Sequence, residues 1–500
     1  MMKKIQLLLF SFILPGFTSI IFSQQQGEPP ELVTSLSLKN VVDLAIYQSA
    51  SVKYAQNRNV NFFWRWQNFK TRFRPELTLS GSLPFYYNSI NENVQDDGST
   101  EFIRTQKLNT PAKLSLSQNI AETNTYLSIE SSVNRVQDYI FSTTQYAGTP
   151  VSIGIWQPIF SYNWAKWAKK TEPLVYEEAN KEFVQSIEEI SLEATRRFFR
   201  YLRVQTNYSL AESNLSNSRD NLKIADAKKE LGQISENDYS RIKLSVFNAQ
   251  KALNTARMDL KNADFELKSY IGLDQEKKIE LEIPLNMSLF EIDPNKALEE
   301  ARANRKETPR FERRLIQADQ QLDQARKNSG LNATLSASYG VSNSAENFPG
   351  IYDQPDMAQY VRLSMEIPIL DWGKSASAIK LAESQRDLII FDVEKDKKDF
   401  ERSVIVQVEQ FSLLKDQLIT AEEADKVAEN GYQIALKKFQ NGEISITDLN
   451  ISLSERERAK RDYIESLEDY WRAYYNLRIL TLYDFEFDRK IGYDNPVLKD

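Results

Sequence analysis

Neither cysteine nor histidine occurs anywhere in the 500 residues. Without cysteine there is no disulfide framework, no thiolate metal site, no thiol nucleophile and no lipid anchor on an N-terminal cysteine. Without histidine the usual zinc ligand and the commonest general base near neutral pH are gone. Turn formers are scarce too: 15 glycines and 16 prolines predict few, long elements. Positive charge is not in excess, since 63 Lys and Arg face 70 Asp and Glu for a formal charge of -7. Such a balance offers no cationic surface for phosphates, so no nucleic acid partner is expected. After residue 23 no window of 18 apolar residues occurs, and the mature chain can span a membrane only as a closed β-barrel. What is present is 41% hydrophobic and 27% charged residues, enough to bury a core.

Residues 1–23 read as an export signal. Lys3 and Lys4 precede an apolar run from Ile5 to Phe22, broken by Pro15 and Gly16 and closed by the small Ser23 before polar Gln24. Beyond it the chain is an internal repeat. Gly232-Gln-Ile-Ser235-Glu-Asn-Asp238 returns as Gly442-Glu-Ile-Ser445-Ile-Thr-Asp448, an offset of 210, and Gln157-Pro158-Ile159-Phe160 returns as Ile367-Pro368-Ile369-Leu370 at the same offset. Upstream, Val41, Val42 and Ala45 match Ala297, Leu298 and Ala301, and Leu79-Ser80 matches Leu335-Ser336, at an offset of 256. The first copy therefore carries 46 extra residues (256 less 210) between about 80 and 157.

Two long stretches are nearly free of helix breakers. In one, Val246, Ala249, Leu253, Ala256, Leu260, Ala263, Leu267 and Tyr270 form a heptad seam; in the other, Phe400, Val404, Val408, Phe411, Leu414 and Leu418 form a looser one. One helix is expected from Trp164 to Glu230, a Gly232 turn, then a return helix capped by Ser235; Gly442 and Ser445 repeat the arrangement. Between the helical parts the period falls to two. Alternating apolar and polar residues over 79–87, 114–120, 127–133, 151–159, 333–341 and 361–367 predict six strands, four in the first copy and two in the second. Their polar faces are Ser, Thr, Asn and charge, and Phe85, Tyr86, Tyr87, Trp156, Tyr339 and Tyr360 are available for interfacial belts, so transmembrane barrel strands explain them best.

Taken together, Leu36-Ser-Leu-Lys-Asn-Val-Val-Asp-Leu-Ala45, the two Pro-Ile strand ends, the two Gly-x-x-Ser-x-x-Asp turns and Ile271-Gly272-Leu273 resemble the TolC-like outer-membrane factors of tripartite efflux pumps and type I secretion systems. The resemblance runs from about Leu36 to Asp484. It implies an α+β membrane protein: a homotrimer whose transmembrane β-barrel is continuous with an α-helical coiled-coil tunnel in the periplasm, each protomer built from two tandem repeats. Implied partners are a periplasmic adaptor, an inner-membrane pump or ABC transporter, and outer-membrane lipid, with no cofactor. By the same resemblance Asp448 falls on an acidic ring at the periplasmic entrance whose second position is Ile451, and Asp238 on a gate-latch aspartate. The latch partners are replaced by Ile444 and Phe439, and the resemblance then implies closure by packing of Phe439. Leu231-Gly232-Gln233 and Asn441-Gly442-Glu443 correspond to the adaptor contacts at the tunnel tip.

The expected layout is a signal at 1–23, a first repeat at 24–272 with its β-hairpin region at 76–160, a linker at 273–291, a second repeat at 292–482 with its hairpin region at 332–370, and a tail at 483–500. Each site residue also has a plainer role: the aspartates suit a helix N-terminus and the glycines cap helices. Gly373-Lys374-Ser375 looks like the end of a phosphate loop, but Pro368 stands where the first glycine belongs, so a strand-to-helix corner is expected. The competing reading of the whole chain is an exported coiled-coil scaffold of the periplasm. An enzyme is not expected, because no nucleophile-plus-base constellation is present.

Overall fold

A computed structural model describes residues 35–284 and 290–498. The signal segment, residues 24–34 of the first repeat, part of the linker and the last two residues of the tail lie outside that range. The first repeat opens with β1 (Ser35–Leu36), α1 (Leu38–Gln48) and α2 (Ala50–Thr71). Ser37 and Asn40 form a capping box on α1 and Ser49 caps α2, so this helical segment is bent by two N-caps instead of running as one rod. Then come β2 (Glu76–Gly81), β3 (Phe85–Val94), β4 (Thr100–Ile120), β5 (Thr125–Asp138) and β6 (Thr143–Ile159), the long α3 (Trp164–Glu230) and the return helix α4 (Glu236–Ile271). In the linker β7 (Glu280–Leu281) pairs in parallel with β1, clasping the two ends of the repeat together. The second repeat contains α5 (Pro294–Asn304), α6 (Glu307–Asn328), β8 (Asn332–Ala345), β9 (Asp356–Glu366), α7 (Lys374–Gln440) and α8 (Ile446–Thr481); the tail adds the small hairpin of β10 (Tyr483–Asp484) and β11 (Arg489–Lys490).

The helices follow the predicted seams. Val404, Val408, Phe411 and Leu418 of α7 are buried with Ile464, Leu467 and Leu477 of α8, Phe198 and Leu202 of α3, and Leu267 and Ile271 of α4. α3 and α7 are each 67 residues and α4 and α8 each 36, lengths of ~100 and ~54 Å at 1.5 Å per residue. Toward the tips the core thins to two small clusters, one inside each hairpin. One buried ionic group holds the main core to the tail. Glu188 of α3, wholly buried, receives two hydrogen bonds from the Arg478 guanidinium of α8 at 2.7 and 2.8 Å and one from the Tyr493 hydroxyl at 2.5 Å; Arg478 also pairs with Asp484. Asn495 then donates to Gln56 O and Asn59 Oδ1 of α2, strapping the tail across it.

The remaining strands form one antiparallel sheet in the order β2-β4-β5-β6-β8-β9, with β3 also on β4. Here the structure differs from the alternation pattern. The segment expected as one strand over 79–87 is two, split before β3 at Ser82–Pro84: β2 covers residues 112–117 of β4, and β3 covers 100–109. Pro111, which has no N–H to donate, sits at the step between the two, where β4 lacks a neighbour on that edge. β4 and β5, which the 46 extra residues largely build, stand inside the sheet between β2 and β6.

Candidate functional site

Cross-strand register decides which residues share a face of the sheet. On one face Leu77 and Leu79 sit opposite Leu116 and Leu114, Leu116 opposite Ile129, Ile129 opposite Ile153, Ile153 opposite Tyr339, Ala337 opposite Val361, and Leu335 opposite Leu363. With Val151, Met357 and Met365 these make one apolar band crossing all six strands, and most of its side chains are exposed. From Met357 to Met365, with Gln359 as its one polar member on β9, the band is about 26 Å tall at 3.3 Å per residue, close to the apolar height of an outer-membrane barrel. The opposite face carries Thr78, Ser80, Ser115, Ser152, Thr334, Ser336, Ser338 and Ser364, with Lys113 and Glu130 paired at 2.7 Å. Above the band Arg135, Tyr146 and Gln137 occupy the once-apolar face, and the β3–β4 hairpin continues outward with mixed faces, where Ile90, Val94, Phe102 and Ile103 stand exposed among polar residues.

The expected aromatic belt is not where it was placed. Only Tyr339 lies within the apolar band and Tyr86 above it on the same face; Phe85, Tyr87, Trp156 and Tyr360 fall on the polar face, because register and not residue type decides the side. Missed by alternation, Ile369, Leu370 and Trp372 stand exposed just below β9, Trp372 at 90%. The corner that follows confirms the non-phosphate reading of Gly373-Lys374-Ser375. The Asp371 carboxylate accepts from Gly373 N and Ser375 N at 3.0 and 2.9 Å, filling the place at the α7 N-terminus that an anion would take.

At the far end the two helical hairpins turn identically. Gly232 and Gly442 have φ of +66° and +81°, Gly232 N reaches Lys229 O and Gln233 N reaches Lys228 O, and Gly442 and Glu443 repeat both bonds to Phe439 O and Lys438 O. This is the glycine-terminated helix cap, and a Cβ at either glycine would meet nothing within 4 Å. Leu231 is 70% exposed, and Gln233, Asn441 and Glu443 are exposed with it.

Asp238 and Asp448 occupy the same place, the third residue of α4 and of α8. Ser235 Oγ and Ser445 Oγ cap their backbone amides at 3.1 and 3.2 Å and donate to their carboxylates at 2.7 Å. Asp448 additionally accepts from Ser445 N at 3.1 Å, completing a capping box. These bonds from Ser445, side chain first, hold the Asp448 carboxyl below the usual carboxylate range. Ile451 is exposed one helical turn further on. Phe439 packs inside its own hairpin, in the cluster of Tyr432, Ala435 and Leu449 with Ile444 and Ile446; the structure does not bring it to Asp238.

A contact between the hairpins escaped the sequence. Asn217 of α3 donates to the Tyr432 hydroxyl of α7 at 2.9 Å, Asn214 bonds Glu457 of α8, and Arg456 lies over the Tyr432 ring at 4.5 Å while pairing with Glu429 at 3.2 Å. Its only sequence signal is a pair of asparagines three apart beside the seam residues Ala211 and Leu215.

Residues 297–481 match the family model described as outer membrane efflux protein. No curated protein sequence matches the chain. Among solved structures, a membrane protein from Pseudomonas aeruginosa superposes with a TM-score of 0.63 at 13% identity, over 92% of this chain and 91% of that one. The outer membrane protein VceC of Vibrio cholerae gives 0.60 at 14%, over 89% and 95%, and the CmeC outer membrane channel of Campylobacter jejuni 0.63 at 13%, over 92% and 88%. Residues 297–481 are thus similar to the outer membrane efflux protein family, and the chain as a whole shares the fold of these outer-membrane channel structures.

Proposed function

We propose that the chain is the outer-membrane channel of a three-component export system, for efflux or type I secretion, working as a homotrimer. It sits in the outer membrane with its helical tunnel in the periplasm. An inner-membrane pump or ABC transporter supplies the energy, a periplasmic adaptor meets the hairpin tips, and the channel passes the substrate outward. The carrying observation is the exposed apolar band of about 26 Å across a sheet whose other face is mostly polar, with Phe85, Tyr87, Trp156 and Tyr360 among its serines and threonines. A scaffold in water gains nothing from such a band, whereas a barrel places it against lipid and its serines and threonines against the passage. The sheet has two free edges, β2 and β9, which in a membrane must be paired by further copies. In this reading Asp448 contributes the entrance ring, Asp238 and Phe439 flank the gate, and residues 231–233 and 441–443 are the adaptor contacts. The test is extraction: the mature chain should leave outer membranes only with detergent, as a trimer by light scattering, and conduct ions in planar bilayers. A water-soluble monomer sinks the reading.

A further inference from the structure

The two repeats contribute equally to the helical part and unequally to the sheet. Each gives two long helices of matching lengths. The second repeat gives two strands, β8 and β9, while the first gives four to the path β2-β4-β5-β6. A repeat unit needs only one hairpin, so β4 and β5 must be either an appendage or part of the wall.

Three observations place them in the wall. β5 pairs with β4 over residues 125–138 and with β6 over 126–138, so removing the pair leaves no bond between β2 and β6. Leu114, Leu116, Leu127 and Ile129, interrupted only by Ser131 and Gln118 at the margins, carry the apolar band from Leu77 and Leu79 to Ile153 and Ile155. The turn joining β4 to β5 is fastened to the start of the long helix α3: Asn163, the α3 N-cap, donates to Ala121 O and Glu122 O at 2.9 and 3.0 Å, Gln157 donates to Thr123 O at 3.0 Å, and Lys169 pairs with Glu122. Ala121 and Thr125 at that turn are buried. A loose outer loop has no such footing.

We infer that the assembled wall is an eighteen-stranded barrel, six strands from each of three copies, with β2 of one copy paired to β9 of the next. The inference rests on the trimer proposed above. At strand spacing of about 4.8 Å and tilt of about 40°, eighteen strands close at a backbone diameter of about 36 Å, against about 24 Å for the twelve that two equal repeats would supply. The barrel is then wider than a passage matched hairpin for hairpin to its helices, and it works as a broad water-filled vestibule above a helical tunnel of unchanged helix number. It suits bulky polar cargo, which meets serines, threonines and the Lys113–Glu130 pair on the lumen face.

The experiment uses the wild-type trimer in lipid nanodiscs, imaged end-on by electron microscopy, together with spin labels on two single-cysteine variants of this cysteine-free chain. A wall about 1.5-fold wider than the twelve-strand value, near 36 Å, is expected. A label at Leu116→Cys should be relaxed by oxygen dissolved in lipid, and one at Ser115→Cys by a water-soluble paramagnet. A trimer with a wall near 24 Å overturns the inference, as does a Leu116→Cys label that is reached from water. A particle that is not a trimer overturns the functional reading instead.

Discussion

Asp448 is held twice over, by a capping box that needs an acceptor and, in the proposed trimer, by a ring that needs a charge. Asparagine keeps the acceptor and removes the charge, so Asp448→Asn separates the two roles at nearly constant volume. In planar bilayers it should weaken cation selectivity and block by a trivalent cation, with thermal stability little changed. Unchanged selectivity would leave the aspartate as a helix cap alone. The pH dependence follows from the depressed pKa. A carboxyl whose folded pKa lies below its unfolded value contributes stability fully above the unfolded value, near 3.9, and loses it as pH falls through the folded one. The stability that the capped tip draws from this carboxylate should therefore be full from pH 8 to about pH 5 and be lost only in stronger acid, as read by thermal unfolding across that range. Spacing after glycine made this residue legible in the sequence. The Asn217–Tyr432 contact was not legible, because it joins helices from different repeats and depends on how the two hairpins are rotated about their axes.

Glycine substitutions at the hairpin tips confuse capping with docking, since both glycines hold the left-handed backbone that other residues adopt at a cost of about 1 kcal/mol. The neighbouring positions do not share that constraint. Gln233→Trp with Glu443→Trp adds bulk on exposed positions of ordinary backbone conformation and should abolish export while assembly and membrane insertion persist. Export at the wild-type level would remove the tips from the adaptor interface. At this scale one long helix was legible to the residue, Trp164 to Glu230, and the other three by their seams and caps, because a helix reads its own seam and its own breakers. The six strands of the sheet path were legible in number, and their breaks and bounds less well. Alternation ran unbroken through 79–87, and only the missing N–H of Pro84 and the way β4 outreaches β2 turn one strand into two. The aromatic belt failed for a related reason: a residue's face follows from pairing with strands up to two hundred positions away.

Across the whole molecule the tail acts as a buckle. Arg478 joins α8 to Glu188 of α3 and to Asp484, and Tyr493 closes the same carboxylate from the tail. Removing the guanidinium leaves a wholly buried carboxylate unpaired, so Arg478→Met should lower stability by about 3–5 kcal/mol and the yield of assembled protein with it, measured by detergent-phase thermal unfolding. Exchange of both partners, Arg478→Met with Glu188→Leu, should recover much of that loss, and failure to recover would mean that Asp484 and Tyr493 depend on the pair. The equal helices have one more effect. Because Pro158 to Gly232 and Pro368 to Gly442 span the same 74 residues, both turns end at one level below the sheet. In the proposed trimer the lower rim then carries six alternating tips with nearly sixfold symmetry, whereas the unequal strands leave the mouth with threefold symmetry only. A partner gripping the rim meets six near-equivalent handles, and cargo leaving the mouth passes three.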